Sequence, residues 1–553
     1  MTQAPLEWDA AVDVLVAGSG GAGLTAALVA ADAGCRVRVV EKSPLVGGTT
    51  GVSGGTVWIA NNPHVSEVGV EDSAQDAAAY MRGVSAGTID DDILNTLVEQ
   101  GPKLVEYLER VGIRFEPFPS VGPTLDYRFS LPGAKHGGRS LTPVPFELTT
   151  LGSWADRIRQ GTTAGWVTDK KSYYQNRAYL VRPQDQPPVS ELAQGVVGAG
   201  SALIGHLLKA CLDRGVEVVT DTAVDALVMV EGEVIGARLT GPDGSQMVRA
   251  GGTILATGGY EWNEELKRRY LGRPLTHPVS APVADGDGLM LGLAAGADVQ
   301  GLGDAWWTPA IDLKGAHSPR GGGTRNIMCR VERGLPHAII VNRAGRRFVN
   351  EATNYYDLPE AFGTHASGTP NLPAWLVLDQ QFRDKYPLVG TASDGIAEPD
   401  PAWLVQADTL EELAERCGID PVGLQATVSA FNKYADAGED PEFGRGSSPW
   451  DREWGDPAHR PNPSLGRVER APFYAVELHA GALGTKGGLR VDGQGSVVSA
   501  ATGKALPGLY AVGNVSACSV PWGYTGPGAT LGPAMTFAMV AARHLTARLP
   551  ASD

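Results

Sequence analysis

Val12-Asp13-Val14-Leu15-Val16-Ala17-Gly18-Ser19-Gly20-Gly21-Ala22-Gly23-Leu24 is the stretch on which the fold turns. A mostly apolar run enters a loop of the form GxGxxG, and small and apolar residues continue from Leu24 to Ala33 before stopping at Gly34. The pattern predicts a short buried strand, a tight turn and a helix. Arg36-Val37-Arg38-Val39-Val40-Glu41 predicts a second buried strand, which completes a βαβ unit with an acidic residue at its C-terminal end.

Each glycine in such a loop has its own physical reason. The first permits the turn, the second lets the backbone approach a pyrophosphate, and the third lets helix and strand pack closely. The helix start offers unpaired N–H groups and a positive dipole end to phosphates. Glu41, 18 residues after Gly23, is placed to accept hydrogen bonds from ribose hydroxyls and would repel a 2'-phosphate. Gly18, Ser19, Gly20, Gly21, Ala22, Gly23 and Glu41 are therefore candidate dinucleotide ligands.

Outward from this unit the cofactor becomes more specific. Lys42 is followed by Gly47, Gly48, Thr49 and Thr50 and then by Ser53, Gly54 and Gly55, a second cluster that a simple nicotinamide fold does not need. An extended flavin does need backbone close to its pyrophosphate, ribityl chain and ring. A strand over 252–256 runs into Ala256, Thr257, Gly258 and Gly259, at the kind of strand end where open parallel sheets bind ligands. Near the C-terminus Gly513 and Asn514, and then Ala529, Thr530 and Leu531, precede a long helix over 530–549, whose first amides suit the negative charge of a reduced flavin. The expected cofactor is FAD. No histidine or cysteine stands in an attachment context, so FAD is expected to be non-covalent.

A helix is expected over 200–214, a strand over 215–219, a hairpin turning at 231–233, and helices over 410–417 and 421–435. At 553 residues the chain is long enough for two domains. The expected fold is α/β: a Rossmann-type FAD-binding domain with a parallel sheet, built from both chain ends (1–280 and 478–553), and an inserted α+β catalytic domain (281–477).

Apolar residues make up 43% and charged residues 20%, as in ordinary globular chains. The formal charge of 46 minus 62, or -16, comes with no dense basic run, which argues against nucleic acid or an anionic membrane as partner. No apolar run approaches membrane-spanning length and the first residues lack signal-peptide character, so a cytoplasmic address is expected. Cys35, Cys211, Cys329, Cys417 and Cys518 are scattered, with no CxxC pair and no clustering with histidine, so no metal site is expected.

Five further segments carry a resemblance that covers nearly the whole chain. They are Asp304 to Trp307, Gly345 to Glu351, Pro373 to Val377, Leu483 to Leu489 and Gly528 to Phe537. In these the chain resembles the 3-ketosteroid 1-dehydrogenases, within the wider fumarate-reductase-like flavoproteins. The resemblance implies desaturation of a carbon–carbon bond next to a ring ketone, with a small-molecule ketone as substrate and a separate, unidentified electron acceptor. It implies that Tyr355 takes the α-proton, with the adjacent Tyr356 as the other match. It implies that Tyr524 and Gly528 bind the ketone oxygen, and that Tyr127 assists the base. Such chemistry needs a base for one hydrogen and an acceptor for the other as hydride, which flavin N5 supplies. A free tyrosine, with a pKa of about 10, is mostly protonated at neutral pH, so Tyr355 is expected to need help from Tyr127 or a positive dipole.

Two stretches depart from the steroid pattern. Asn354-Tyr355-Tyr356-Asp357 replaces a Pro-Tyr context, and Val520-Pro521-Trp522-Gly523 replaces a Met-Gly-His run. Trp522 is expected to narrow the pocket, which would suit a smaller ketone such as cyclohexanone. Dicarboxylate reduction of the fumarate-reductase kind would instead require an arginine–histidine pair, for which His479 and Arg490 are the candidates.

Overall fold

The computed structural model describes residues 7–118, 125–161, 177–182, 195–314, 326–363, 368, 370–388 and 402–549. The strand Ala10–Ala17 is fully buried over its last four residues and pairs in parallel with Val37–Val40 on one side and Gly244–Leu255 on the other. It is the switch point of an eight-stranded sheet: Val37–Val40 and then Glu217–Val219 lie to one side of it, and Gly244–Leu255 and the C-terminal strands to the other. The order across the sheet is Ser496–Val498, Ala505–Ala511, Gly244–Leu255, Ala10–Ala17, Val37–Val40 and Glu217–Val219. The hairpin Ala223–Val230 and Glu233–Gly241 attaches antiparallel to Gly244–Leu255. A crevice opens beyond the carboxyl ends of the strands at such a point, and the glycine loop lies there.

The helix Gly21–Asp32 is buried from Gly21 to Ala30 and packs against Leu531–Thr546 and Ala199–Leu212. Alanine at 26, 27, 30, 538, 541 and 542 leaves little side chain between the helices. A helix apolar on every face belongs in a core. The C-terminal helix thereby ties the end of the chain to its first βαβ unit.

A second, wholly antiparallel sheet has six strands, in the order Asn326–Met328, Val299–Asp312, Phe473–Leu489, Ala374–Asp379 and Ala338–Val341, with Val405–Ala407 also paired to Phe473–Leu489. Phe473–Leu489 runs through residue 478, the expected return point, without leaving this sheet. Its pairing with Val299–Asp312 sets Lys486 opposite Asp304 and Ala482 opposite Trp307. Neither long strand has a clean alternating pattern, since Gly301, Gly303 and Pro309 interrupt one and Gly481, Gly484, Gly487 and Gly488 the other. Burial on both faces replaces alternation there. The expected strand at 252–256 is the end of a longer one that begins at Gly244.

Where the two sheets meet, an aromatic cluster forms from Tyr127, Trp306, Trp307, Tyr356, Trp450 and Tyr524, with Tyr355 packed against it. Among the described residues no helix is long and apolar enough to cross a membrane.

Candidate active site

One cavity of about 390 Å³ runs from the glycine loop to the aromatic cluster. Its walls contain Gly18, Ser19, Gly20, Gly21, Ala22, Glu41, Lys42, Gly48, Thr49, Thr50, Ser53, Gly54, Gly55, Ala256, Thr257, Gly258, Gly259, Gly513, Asn514, Thr530 and Leu531. Three predicted cofactor residues stand behind that surface. A side chain on Gly23 would meet the Gly18 carbonyl at 1.9 Å, Gly47 turns at φ 116° beside Ile204, and Ala529 is buried in the aromatic cluster. They shape the cavity without facing it.

The fit to a flavin dinucleotide rests on what the protein leaves unfilled. Gly18, at φ 104°, leaves no room: an added Cβ would lie 2.4 Å from the Ala256 carbonyl oxygen. At Gly20 the nearest protein atom to an added Cβ is 3.7 Å away, so that position is bare toward the cavity for a reason other than internal packing. Thr257 also lines the cavity, with its Oγ1 buried toward Gly288 and without a hydrogen-bond partner among the described residues. Glu41 is held by Ser19, which donates to Oε2 from its amide (3.1 Å) and its hydroxyl (2.6 Å), while Oε1 accepts from the Ser43 amide (3.0 Å). Thr50 Oγ1 accepts from the Gly21 amide at 3.0 Å, tying the second cluster to the first. Lys42 is paired with Asp285 and Asp287 at 2.8 and 2.7 Å.

At the other end of the cavity, Tyr355 donates a hydrogen bond from its hydroxyl to that of Tyr524 at 3.1 Å, and Tyr524 faces Thr530 Oγ1 at 3.3 Å. Tyr127 stacks on Tyr524 (centroids 5.0 Å) and meets Tyr355 edge-on (5.4 Å). All three tyrosines and Gly528 line the cavity. Tyr356 is placed differently: it aims its hydroxyl at Asp304 Oδ2, 3.1 Å away, and is no part of the lining.

The three tyrosines come from distant segments, and specific bonds bring them together. The Tyr127 amide donates to the Thr525 carbonyl at 3.1 Å, and Tyr80 donates its hydroxyl to the same oxygen at 2.6 Å. Arg128 grips Asp357 through two bonds of 2.7 Å, which clamps the Tyr127 segment to the Tyr355 turn. Buried Asp126 accepts from Arg139 (2.8 Å) and Trp58 (2.9 Å), and burial pushes its carboxyl up to about 6. Gly528, at φ 101°, lies so close to Thr56 and Trp58 that a Cβ would come within 2.8 Å of their backbones.

Burial raises the pKa of both Tyr355 and Tyr524. For Tyr355 the neighbouring phenols of Tyr127 and Tyr524 add to the rise, so Tyr127 does not ease its ionisation here as expected. The larger cause is burial itself, which strips water from the charged form. For Tyr524 the bonds with Thr530 and Tyr355 act in the lowering direction. Buried Arg333 holds the carbonyls of Glu351 and Thr353, and burial lowers its pKa.

Other expectations fail on position. Trp522 does not narrow the cavity; it is 56% exposed, on a turn at φ 54° that points it outward. His479 stacks on His277 at 3.8 Å and Arg490 pairs with Asp298 at 3.3 Å, so neither faces the cavity. Arg330, Glu332, Trp454 and Phe118 do line it. No motif marks them: Arg330 and Glu332 follow the second-sheet strand Asn326–Met328, Trp454 ends the helix Pro449–Trp454, and Phe118 follows the strand Phe115–Pro117 of a separate three-stranded sheet. Among the described residues no group of three or more histidines, cysteines and acids is arranged to hold a metal.

A family model for the FAD binding domain matches residues 13–531. The chain is 38% identical to 4-oxocyclohexanecarboxylate 2-dehydrogenase of Sinomonas cyclohexanicum, over 98% of its own length and 94% of that protein. It is 37% identical to 3-oxosteroid 1-dehydrogenase of Mycobacterium tuberculosis, over 96% and 98%. The chain belongs to the FAD-binding flavoproteins of the 3-ketosteroid 1-dehydrogenase type. This flavoprotein is also similar in structure to the 3-ketosteroid Δ1-dehydrogenase of Sterolibacterium denitrificans solved with 1,4-androstadiene-3,17-dione. The TM-score is 0.86 at 33% identity, with 98% of this chain and 100% of that one covered. It is an FAD-dependent oxidoreductase, and Gly20, bare toward the cavity, fits that cofactor.

Proposed function

We propose that the protein desaturates the carbon–carbon bond next to a ring ketone, as in 1,2-desaturation of a 3-ketosteroid. The observation that carries this reading is the pair of hydroxyls of Tyr355 and Tyr524, 3.1 Å apart, in one cavity with the flavin-type glycine loops. The ketone oxygen accepts hydrogen bonds from the Tyr524 hydroxyl and the Gly528 amide, which stabilise charge as the α-carbon loses its proton. Tyr355 takes that proton, in preference to Tyr356, whose hydroxyl is committed to Asp304. Tyr127, edge-on to Tyr355, assists the base. FAD, held by the residues from Gly18 to Ala22 and from Gly48 to Gly55 and by Glu41, Thr257, Gly258, Gly513 and Asn514, supplies the hydride acceptor when bound.

A smaller ring ketone bearing a carboxylate is the second reading. The 38% identity to 4-oxocyclohexanecarboxylate 2-dehydrogenase favours it, as does Arg330 in the cavity wall. The expected division into a flavin domain (1–280, 478–553) and a catalytic domain (281–477) belongs to the same proposal. Strands from both ends of the chain in the first sheet support it, with the return to the flavin domain after Leu489, since Phe473–Leu489 stays in the second sheet.

Anaerobic mixing of the FAD-loaded protein with androstenedione, a 5α-reduced 3-ketosteroid, cyclohexanone, 4-oxocyclohexanecarboxylate and succinate tests both readings. Bleaching of the flavin by a ketone, with the matching enone as product, is the expected result. Bleaching by succinate alone would overturn the proposal.

A further inference from the structure

Behind the tyrosines lies a buried ion pair with no part in the cavity lining. The Lys486 side chain is 2% exposed and its ammonium stands 3.4 Å from Asp304 Oδ2, across the antiparallel pairing of their strands. Taking two such ions out of water offsets most of their attraction, and apolar residues of similar size serve stability as well. What the pair touches is therefore informative. Lys486 donates to the carbonyl of Gly523, the residue before Tyr524. Its ammonium lies 4.6 Å over the Trp306 ring, and that ring meets Tyr524 edge-on at 5.1 Å. Asp304 accepts from the Tyr356 hydroxyl at 3.1 Å, and the Tyr356 ring packs on Tyr524 at 5.4 Å. The backbone of Tyr524 and two sides of its ring thus all lead to this one pair of charges.

We propose that Lys486 and Asp304 are positioning residues for Tyr524: the charged ammonium fixes Gly523 and Trp306 so that the phenol meets the ketone oxygen, and loss of that charge weakens the hold on both. The inference rests on the role assigned to Tyr524 above. Burial lowers the pKa of Lys486 to about 8, with Asp304 opposing the shift. The other titratable groups around it are Tyr356, whose ring is 5.5 Å from the ammonium, and Asp90 and Cys518, which share small cavities with it. The protonated lysine is the active form, so turnover falls as pH rises through that value.

The test uses the FAD-loaded protein oxidising a ring ketone. The logarithm of kcat is expected to bend downward near pH 8 in the wild type, the region to which Lys486 is lowered (about 8). Lys486→Met is expected to lose that bend, with kcat down about tenfold or more, flavin content unchanged and KM within roughly threefold. Asp304→Asn removes the opposing charge and is expected to move the bend down by about one pH unit. A bend that persists in Lys486→Met, or a kcat there equal to wild type, overturns the proposal. If Lys486→Met does not retain FAD, an unmoved bend in Asp304→Asn overturns it alone. Failure of the wild type on every ring ketone would sink the proposed function instead. In that case crystal structures of the FAD-bound wild type and Lys486→Met decide: Tyr524 is expected to leave its 3.1 Å contact with Tyr355, and an unmoved Tyr524 overturns the inference.

Discussion

Tyr524→Phe removes one oxygen from the centre of the site and leaves its frame in place. The ring is 3% exposed and keeps its contacts with Tyr127 (5.0 Å), Trp306 (5.1 Å) and Tyr356 (5.4 Å), so no cavity larger than a hydroxyl opens. The lost hydrogen bonds, to Tyr355 at 3.1 Å and Thr530 at 3.3 Å, are neutral and together cost about 1 kcal/mol of stability. The loss in rate is expected to be far larger. One preorganised donor to a developing oxyanion contributes about 10² to 10³ in kcat, or about 2.7–4 kcal/mol. Anaerobic stopped-flow bleaching by a saturating ring ketone measures it, with flavin absorbance and thermal melting as controls. Tyr355→Phe is expected to lose roughly 10² to 10⁴ by removing the base. The double variant should lose much less than the product of the two, because a base and an oxyanion donor act as a unit. Bleaching by Tyr524→Phe within about threefold of wild type, with FAD bound and the fold intact, would refute the role given to this phenol.

Two glycines of the loop are expected to respond in opposite ways. Gly20→Leu has 3.7 Å of clearance at Cβ, so the chain folds but binds FAD on the order of 100-fold more weakly, as flavin fluorescence would report. Gly23→Ala places its Cβ 1.9 Å from the Gly18 carbonyl, and loss of soluble folded protein is the expected result; a well-folded Gly23→Ala would contradict the packing. Asp357→Asn breaks the twin 2.7 Å bonds to Arg128 and should lower kcat roughly tenfold by loosening the clamp between Tyr127 and Tyr355, with little change in FAD content. Trp522→Gly relieves a left-handed backbone at φ 54°, worth about 1 kcal/mol, and should leave the preference between steroid and cyclohexanone-sized ketones unchanged. A switch in preference would restore Trp522 to the pocket.

Local sequence determined the cofactor end of this protein. A βαβ unit with a glycine loop is continuous in the chain, and Gly23 packs against Gly18 within it, although the close approach of Gly18 to Ala256 comes from a distant strand. Glu41 follows the second strand directly, so its position is set by the same unit. The tyrosines were legible as residue types in a familiar context, but their meeting was not, because Tyr127, Tyr355 and Tyr524 are separated by hundreds of residues. Backbone bonds from Thr525 and the Arg128–Asp357 clamp decide that meeting, and neither leaves a periodic trace in the chain. Tertiary structure also set Tyr355 apart from its neighbour, by bonding the Tyr356 hydroxyl to Asp304, and it left Trp522 exposed. The charge pair of Lys486 and Asp304 belongs to the same class. Two ordinary residues on two glycine-interrupted strands become a buried ion pair only when those strands align, since register between distant strands is fixed by packing rather than by local pattern.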